Sequence, residues 1–147
     1  MKLPVIAVAA FGAALLFAAP AAAQPSVVTT QLDSAVTLMG TQGFSKQDEF
    51  VTGTLQQGED SEFELQLDGG KTYIIVGVCD GDCTDLDMSL TTASGTDVDS
   101  DFEEDDVPMV MVEVAQGATY NLMVRMAACS VEPCGFGVGV FANGGGE

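Results

Sequence analysis

Three stretches of the chain alternate apolar and polar residues with a period of two, and this pattern restricts the fold more than any other feature. The apolar residues fall at every second position: Phe63, Leu65, Leu67; Leu86, Met88, Leu90; and Tyr120, Leu122, Val124, Met126. Successive side chains of a β-strand point to opposite faces of the sheet. Each stretch therefore predicts a strand that buries one face.

Further strands are predicted between and around these three. Residues 71–79 and 108–114 are more continuously apolar, and we expect two sets of side chains in them to point inward: Ile74, Val76, Val78 and Val110, Val112, Val114. Weaker strand patterns cover 50–55 and 136–141, and glycine-rich turn signals separate the segments. No segment of helical length intervenes, so the sequence predicts an all-β, antiparallel sandwich of seven to eight strands.

The segment 24–46 has a different period. Val28, Leu32, Val36 and Met39 fall on one face of a helix. Ser26 is suited to cap its start and Gly40 to end it. We therefore expect a short N-terminal amphipathic helix, followed by a linker, that packs its apolar stripe on the sandwich.

The first 23 residues have the features of a signal peptide. Lys2 precedes an apolar run of 15 residues, and small residues lead to a cleavage site between Ala23 and Gln24. The run is shorter than the about 20 residues of a membrane helix, and no cysteine lies near it for a lipid anchor. We expect a periplasmic or secreted protein with no membrane insertion after cleavage, divided into 24–46, a sandwich at 47–142 and a flexible tail at 143–147.

The charge and the missing residue types exclude several function classes. Asp and Glu number 22 against four Lys and Arg, for a net charge of −18, which is incompatible with nucleic-acid binding. The chain has no His, so Ser-His-Asp catalysis, Cys-His catalysis and His-ligated metals are excluded. We therefore expect a non-enzymatic protein, with a hydrolase as a remote alternative.

Several short motifs, taken in order, resemble the bacterial pre-peptidase C-terminal (PPC) domain family. They are the opening Gly53-Thr-Leu-Gln-Gln-Gly58-Glu-Asp60-Ser-Glu-Phe63, then Gly70-Lys-Thr-Tyr73, Asp85-Leu-Asp87-Met-Ser-Leu90 and Gly117-Ala-Thr-Tyr120-Asn-Leu122. The resemblance implies a jelly-roll-like β-sandwich that acts as an accessory, adhesion or carbohydrate-contacting module. This chain differs in carrying four cysteines, and we expect it to act without an attached enzyme.

The cysteines form two close pairs, Cys79 with Cys83 and Cys129 with Cys134. In an exported protein they predict two disulfides rather than a zinc site or a redox pair. The short loops favour local pairing, and the alternative is pairing across the two loops.

Two acidic segments contain candidate metal ligands. Asp80, Asp82, Asp85 and Asp87 form the first set, and Asp97, Asp99 and Asp101 form the alternative set. Oxygen ligands at this density suit Ca²⁺, although the position that needs glycine in an EF-hand is Phe102. The competing interpretation is a solvated charge run.

Methionines occupy both predicted faces of the strands. Met109 and Met111 can bind Cu(I) through their thioethers, fill the core, or lie beneath the N-terminal helix.

These observations predict an exported binding or envelope-associated module with a protein or carbohydrate partner. The alternative is a calcium-dependent carbohydrate- or protein-binding module. Sugar-stacking aromatics are few, because the chain has no Trp, and Phe102 is the aromatic that lies in an acidic segment.

Overall fold

A computed structural model describes residues 25–144. The predicted signal peptide, its cleavage site at Ala23 and Gln24, and residues 145–147 of the predicted tail lie outside the described residues. Within 25–144, no helix is both long enough and apolar enough to cross a membrane.

One helix precedes nine strands in the described part of the chain. The elements are α1 (Pro25–Thr41), β1 (Ser45–Lys46), β2 (Val51–Leu55), β3 (Asp60–Leu67), β4 (Lys71–Cys79), β5 (Cys83–Thr92), β6 (Asp97–Asp101), β7 (Met109–Val114), β8 (Ala118–Cys129) and β9 (Cys134–Asn143).

The strands form two antiparallel sheets with jelly-roll connections. Sheet A has the order β1-β9-β4-β7, with β2 also paired to β9, and sheet B has the order β3-β8-β5-β6. Apart from the short β1, the strand orders β2-β9-β4-β7 and β3-β8-β5-β6 are those of a jelly roll, in which only β5 and β6 are consecutive strands of one sheet. The predicted jelly-roll-like sandwich is therefore confirmed.

The core lies between the two sheets and follows the predicted alternation. Leu86, Met88 and Leu90 of β5 have no exposed surface, and Leu122 and Val124 of β8 are equally buried. The valines of β7 at positions 110, 112 and 114 also point into this core, as predicted.

The expected orientation of β4 is wrong. Ile74, Val76 and Val78 do not face the other sheet, because they form a second core with the helix on the outer face of sheet A. Tyr73 and Ile75 enter the space between the sheets instead. The strand is apolar on both faces, so the sequence alone does not distinguish its two sides.

Helix α1 packs its predicted stripe on this outer face. Val28, Leu32 and Met39 are buried, and Val36 packs against them. The expected helix ends need correction, because the helix starts at Pro25, ahead of Ser26, and continues through Gly40. Gly43 takes the left-handed conformation, with φ of 82°, while the Phe44 N–H donates to the Met39 carbonyl at 3.0 Å.

Two segments expected to be irregular are strands. Asp97–Asp101, predicted as part of an acidic loop, forms β6 and pairs with β5 at the edge of sheet B. Asn143, assigned to the flexible tail, ends β9 and pairs with Thr72.

The absence of a side chain at Gly137 allows α1 to approach sheet A closely. A Cβ atom there would lie 2.6 Å from Val28 Cγ1 and 2.8 Å from Leu32 Cδ1. These distances are below van der Waals contact, so a larger residue must displace the Val28 and Leu32 side chains or the helix that carries them.

Gly137→Ala should lower the free energy of unfolding by about 1–3 kcal/mol, because a methyl group overpacks the helix interface. Gly40→Ala is the control, because a Cβ at this exposed helical site meets no atom within 4 Å. It should raise stability by up to about 1 kcal/mol through helix propensity. Urea unfolding measures both, and equal effects would contradict the described contact between α1 and β9.

Candidate functional site

A groove on the outer face of sheet A lies between α1 and β7, and we call it the α1–β7 groove. Its volume is about 280 Å³. The helix forms one wall, and β4 with the start of β7 forms the floor and the other wall. The lining residues are Gln31, Ser34, Ala35, Leu38, Met39, Val76, Val78, Val107 and Met109.

The groove exists because the helix covers only part of sheet A. Helix α1 contacts β9 and β4, and the outer face of β7 is left open. Apolar side chains therefore remain in water on both sides of the groove, with exposed fractions of 56% for Leu38, 43% for Val107, 42% for Met109 and 53% for Met111. Contiguous exposed apolar side chains of this kind mark binding surfaces.

Carboxylates line the edge of β7 beside the groove. The Met109 N–H donates to Asp101 Oδ2 at 2.9 Å, and the Met111 N–H donates to Asp99 Oδ2 at 2.8 Å. Asp106 and Glu113 are exposed at either end of β7. These four carboxylates lie on or next to β7, and none of them lines the groove itself.

Each cation in the described part of the chain is engaged elsewhere. Lys46 pairs with Glu49, Lys71 with Asp68 and Arg125 with Asp60, and these pairs do not include a residue that lines the groove.

Gln31 lines the groove and carries an unsatisfied polar atom. Its Oε1 is buried and accepts no hydrogen bond. Because this atom is closed to solvent, it is not accessible at the groove surface.

The predicted disulfides are present as local pairs, Cys79 with Cys83 and Cys129 with Cys134. The two loops they close lie side by side, because Cys83 pairs with Cys129 across β5 and β8. The disulfides therefore brace one end of the sandwich, and they occupy all four thiols.

Asp80, predicted as a metal ligand, joins these two loops. It is 2% exposed. Its Oδ2 accepts from the Gly135 N–H at 2.6 Å and its Oδ1 from the Asp82 N–H at 3.2 Å. Both carboxylate oxygens therefore accept hydrogen bonds from backbone N–H groups.

Asp82, Asp85 and Asp87 lie further along the same segment. The Asp82 carbonyl accepts from the Ser130 N–H and hydroxyl, which ties it to the neighbouring disulfide loop. Asp85 and Asp87 lie on β5, next to an irregularity in its register with β8. Among residues 25–144, no three acidic or cysteine side chains converge in a way that could hold a metal.

In the alternative set of candidate metal ligands, the carboxylates of Asp99 and Asp101 accept hydrogen bonds from backbone N–H groups. Besides their bonds to β7, Asp99 Oδ1 accepts from the Ser100 N–H and Asp101 Oδ1 from the Glu103 N–H. Asp97 is exposed at the start of β6. Calcium binding at either set stays a prediction.

Asp85 and Asp87 are in an unfavourable electrostatic environment. Burial raises the pKa of the Asp85 carboxyl, and the charges of Glu104 and Asp105 raise it further. Burial also raises the pKa of Asp87, followed by the charge of Asp85, while Arg125 opposes the shift. Asp85 Oδ1 is buried without a hydrogen-bond partner.

Two other exposed apolar residues do not line the groove. Phe102 is exposed in the β6–β7 loop, and Val131 is exposed in the second disulfide loop. Tyr73 and Phe141 are buried, which removes them as sugar-stacking platforms.

The sequence did not predict the groove, although the two methionines of β7 beside it were identified as candidate ligands. Met109 and Met111 are neither core residues nor covered by the helix, because both are exposed beside it. Leu38 does not belong to the apolar stripe of α1 that packs on the sheet. A leucine outside that stripe was the feature of the sequence that could have indicated an exposed apolar surface.

No family model and no curated protein matches this sequence. Among solved structures, the chain is similar to Aeromonas hydrophila PliG, a periplasmic lysozyme inhibitor of g-type lysozyme, with a TM-score of 0.47 and 10% sequence identity. The likeness covers 65% of this chain and 85% of that chain.

Asp80→Ala should destabilise the fold by about 2–3 kcal/mol, because it leaves the buried Gly135 N–H without an acceptor. Asp48→Ala removes the same charge from an exposed loop and should stay within about 0.5 kcal/mol of the parent. Chemical unfolding with the disulfides intact measures both. Equal stabilities for the two variants would show that Asp80 does not join the loops.

Asp85→Asn should raise the melting temperature at pH 7. A carboxyl whose pKa is raised by folding favours the fold when protonated, and this contribution is lost as pH rises through the folded-state pKa. The gain from the amide should therefore shrink as pH falls through the folded-state pKa and the parent carboxyl takes up a proton. Glu62→Gln on the same sheet is the charge-matched control, and melting curves at pH 3.5 and 7 compare them. An equal rise in melting temperature for Glu62→Gln would show that the effect comes from the lower net charge and not from the environment of Asp85.

Proposed function

We propose that the protein is an exported, non-enzymatic binding module that engages a protein partner through the α1–β7 groove. The observation that carries this proposal is the set of exposed Leu38, Val107 and Met109 side chains that line one concave surface, with exposed Met111 next along the outer face of β7. Methionine and leucine adapt their shape to a partner, and burying them provides binding free energy.

The residues at the groove support a binding role rather than catalysis. Gln31 and Ser34 are the polar side chains that line it, and the chain has no histidine to activate the Ser34 hydroxyl. The Ser34 hydroxyl already donates to the Thr30 carbonyl at 2.9 Å. The hydrolase alternative needs two carboxyls that face each other across a cleft, and no carboxyl lines this groove.

An extracytoplasmic location is part of the proposal. Two disulfides in a domain of this size suit an oxidising compartment. The predicted signal peptide agrees with that location. A relationship to PPC domains is also proposed, and the jelly-roll strand order supports it.

Photocrosslinking in the exporting cell tests the groove. A photoreactive amino acid in place of Leu38 or Met111 should give an adduct with another protein. The same amino acid at exposed Glu62, on the outer face of sheet B, is the control. Absence of adducts at Leu38 and Met111, or equal adducts at all three positions, would reject the groove as the binding surface.

A calcium-dependent module is a second proposal, and the unfavourable position of Asp85 supports it. A divalent cation beside Asp85 would supply a partner for the buried Oδ1 and offset the charges of Glu104 and Asp105. The same module could contact carbohydrate, with Phe102 as the exposed aromatic.

Calcium should raise the melting temperature in a saturable way, with Mg²⁺ weaker because it demands octahedral geometry. NaCl at matched ionic strength measures simple screening. Asp85→Asn should abolish the calcium effect and Asp97→Asn should preserve it. Equal shifts from calcium and NaCl would reject the site.

A further inference from the structure

We propose that the occupant of the α1–β7 groove is a cationic amphipathic helix of the partner protein. This inference rests on the proposed function and adds the chemistry of the partner. It requires an apolar face to fill the groove, and Lys or Arg side chains to reach the carboxylates along β7.

The charge around the groove selects a cationic partner. Asp106 and Glu113 are exposed along the β7 wall, and the carboxylates of Asp99 and Asp101 lie within hydrogen-bond distance of its backbone. A second copy of this chain would bring a net charge of −18 against the same sign. Like-charge repulsion therefore disfavours self-association and favours a basic partner.

The edge of β7 favours a partner that binds through its side chains over a partner that adds a strand to sheet A. A peptide that extends sheet A would need the outward N–H groups of Met109 and Met111. Both already donate to aspartate carboxylates, at 2.9 and 2.8 Å. An added strand would have to displace two charge-assisted hydrogen bonds, whereas a helix lying in the groove leaves them intact.

A cationic side chain that enters beside α1 can pack its alkyl stem on exposed Leu38 while its charged end stays in water.

Three synthetic 16-residue peptides test the proposal by fluorescence anisotropy with the disulfide-bonded protein. The first is an amphipathic helix of Leu and Lys, the second replaces its Lys with Glu, and the third replaces its Leu with Ser. We expect the Leu/Lys peptide to bind at least about tenfold more tightly than either of the others.

Variants of the protein separate the two contributions. The double variant Leu38→Ser with Met111→Ser should weaken the Leu/Lys peptide about tenfold. Asp106→Asn with Glu113→Gln should weaken it about three- to tenfold. Glu62→Gln with Glu64→Gln removes equal charge from the outer face of sheet B and should change affinity less than about twofold. All altered side chains are exposed, so thermal melts should confirm an intact fold.

Each contrary result overturns the inference. Equal binding of the Leu/Glu peptide would show that the partner is not selected by charge. Equal binding of the Ser/Lys peptide, with no effect of the double serine variant, would show non-specific attraction to an acidic protein. If no peptide binds, the helical cationic occupant is rejected. Photocrosslinking at Leu38 and Met111 decides separately whether the groove binds a protein at all.

Discussion

The burial of sheet A on both faces is the constraint on which the rest of the structure depends. Its inner face packs on sheet B, and its outer face holds Ile74, Val76, Val78 and Phe141 against the helix. Such a sheet needs apolar residues on both sides of its central strands and small residues where the helix approaches. The run of apolar residues in β4 and the glycine at position 137 meet these two needs. The groove is a consequence, because the helix is too narrow to reach β7.

The acidic residues have a structural role besides solubility. Asp80, Asp99 and Asp101 accept backbone N–H groups that have no strand partner on that side. Hydrogen bonds to a charged acceptor stabilise a fold by about 1.5–3 kcal/mol each. At β7 these bonds also block the exposed edge of sheet A, which would otherwise be available for pairing with another chain. Asp85 is the opposite case, because one of its oxygens is buried without a donor.

The sequence correctly predicted the elements that are apolar on one face only. Strand β5 was placed by the alternation of Leu86, Met88 and Leu90, and the helix by its apolar stripe. The orientation of β4 could not be predicted, because alternation carries no information when both faces are apolar. Strand β6 was missed because Val98 is its one apolar residue, and neighbouring strands rather than side-chain burial define it. The groove depends on which part of sheet A the helix leaves open, and that is a property of the assembled sheet.

The position of β9 in sheet A has a consequence for the order of folding. This last described strand pairs with β1, β2 and β4, and it carries the glycine on which α1 rests. Contacts that close the sheet therefore join segments separated by most of the described chain. Such long loop closures make folding slow. Helix α1, β1 and β2 therefore lack the strand on which they rest until β9 is in place. The first elements of the described chain are completed by its last strand.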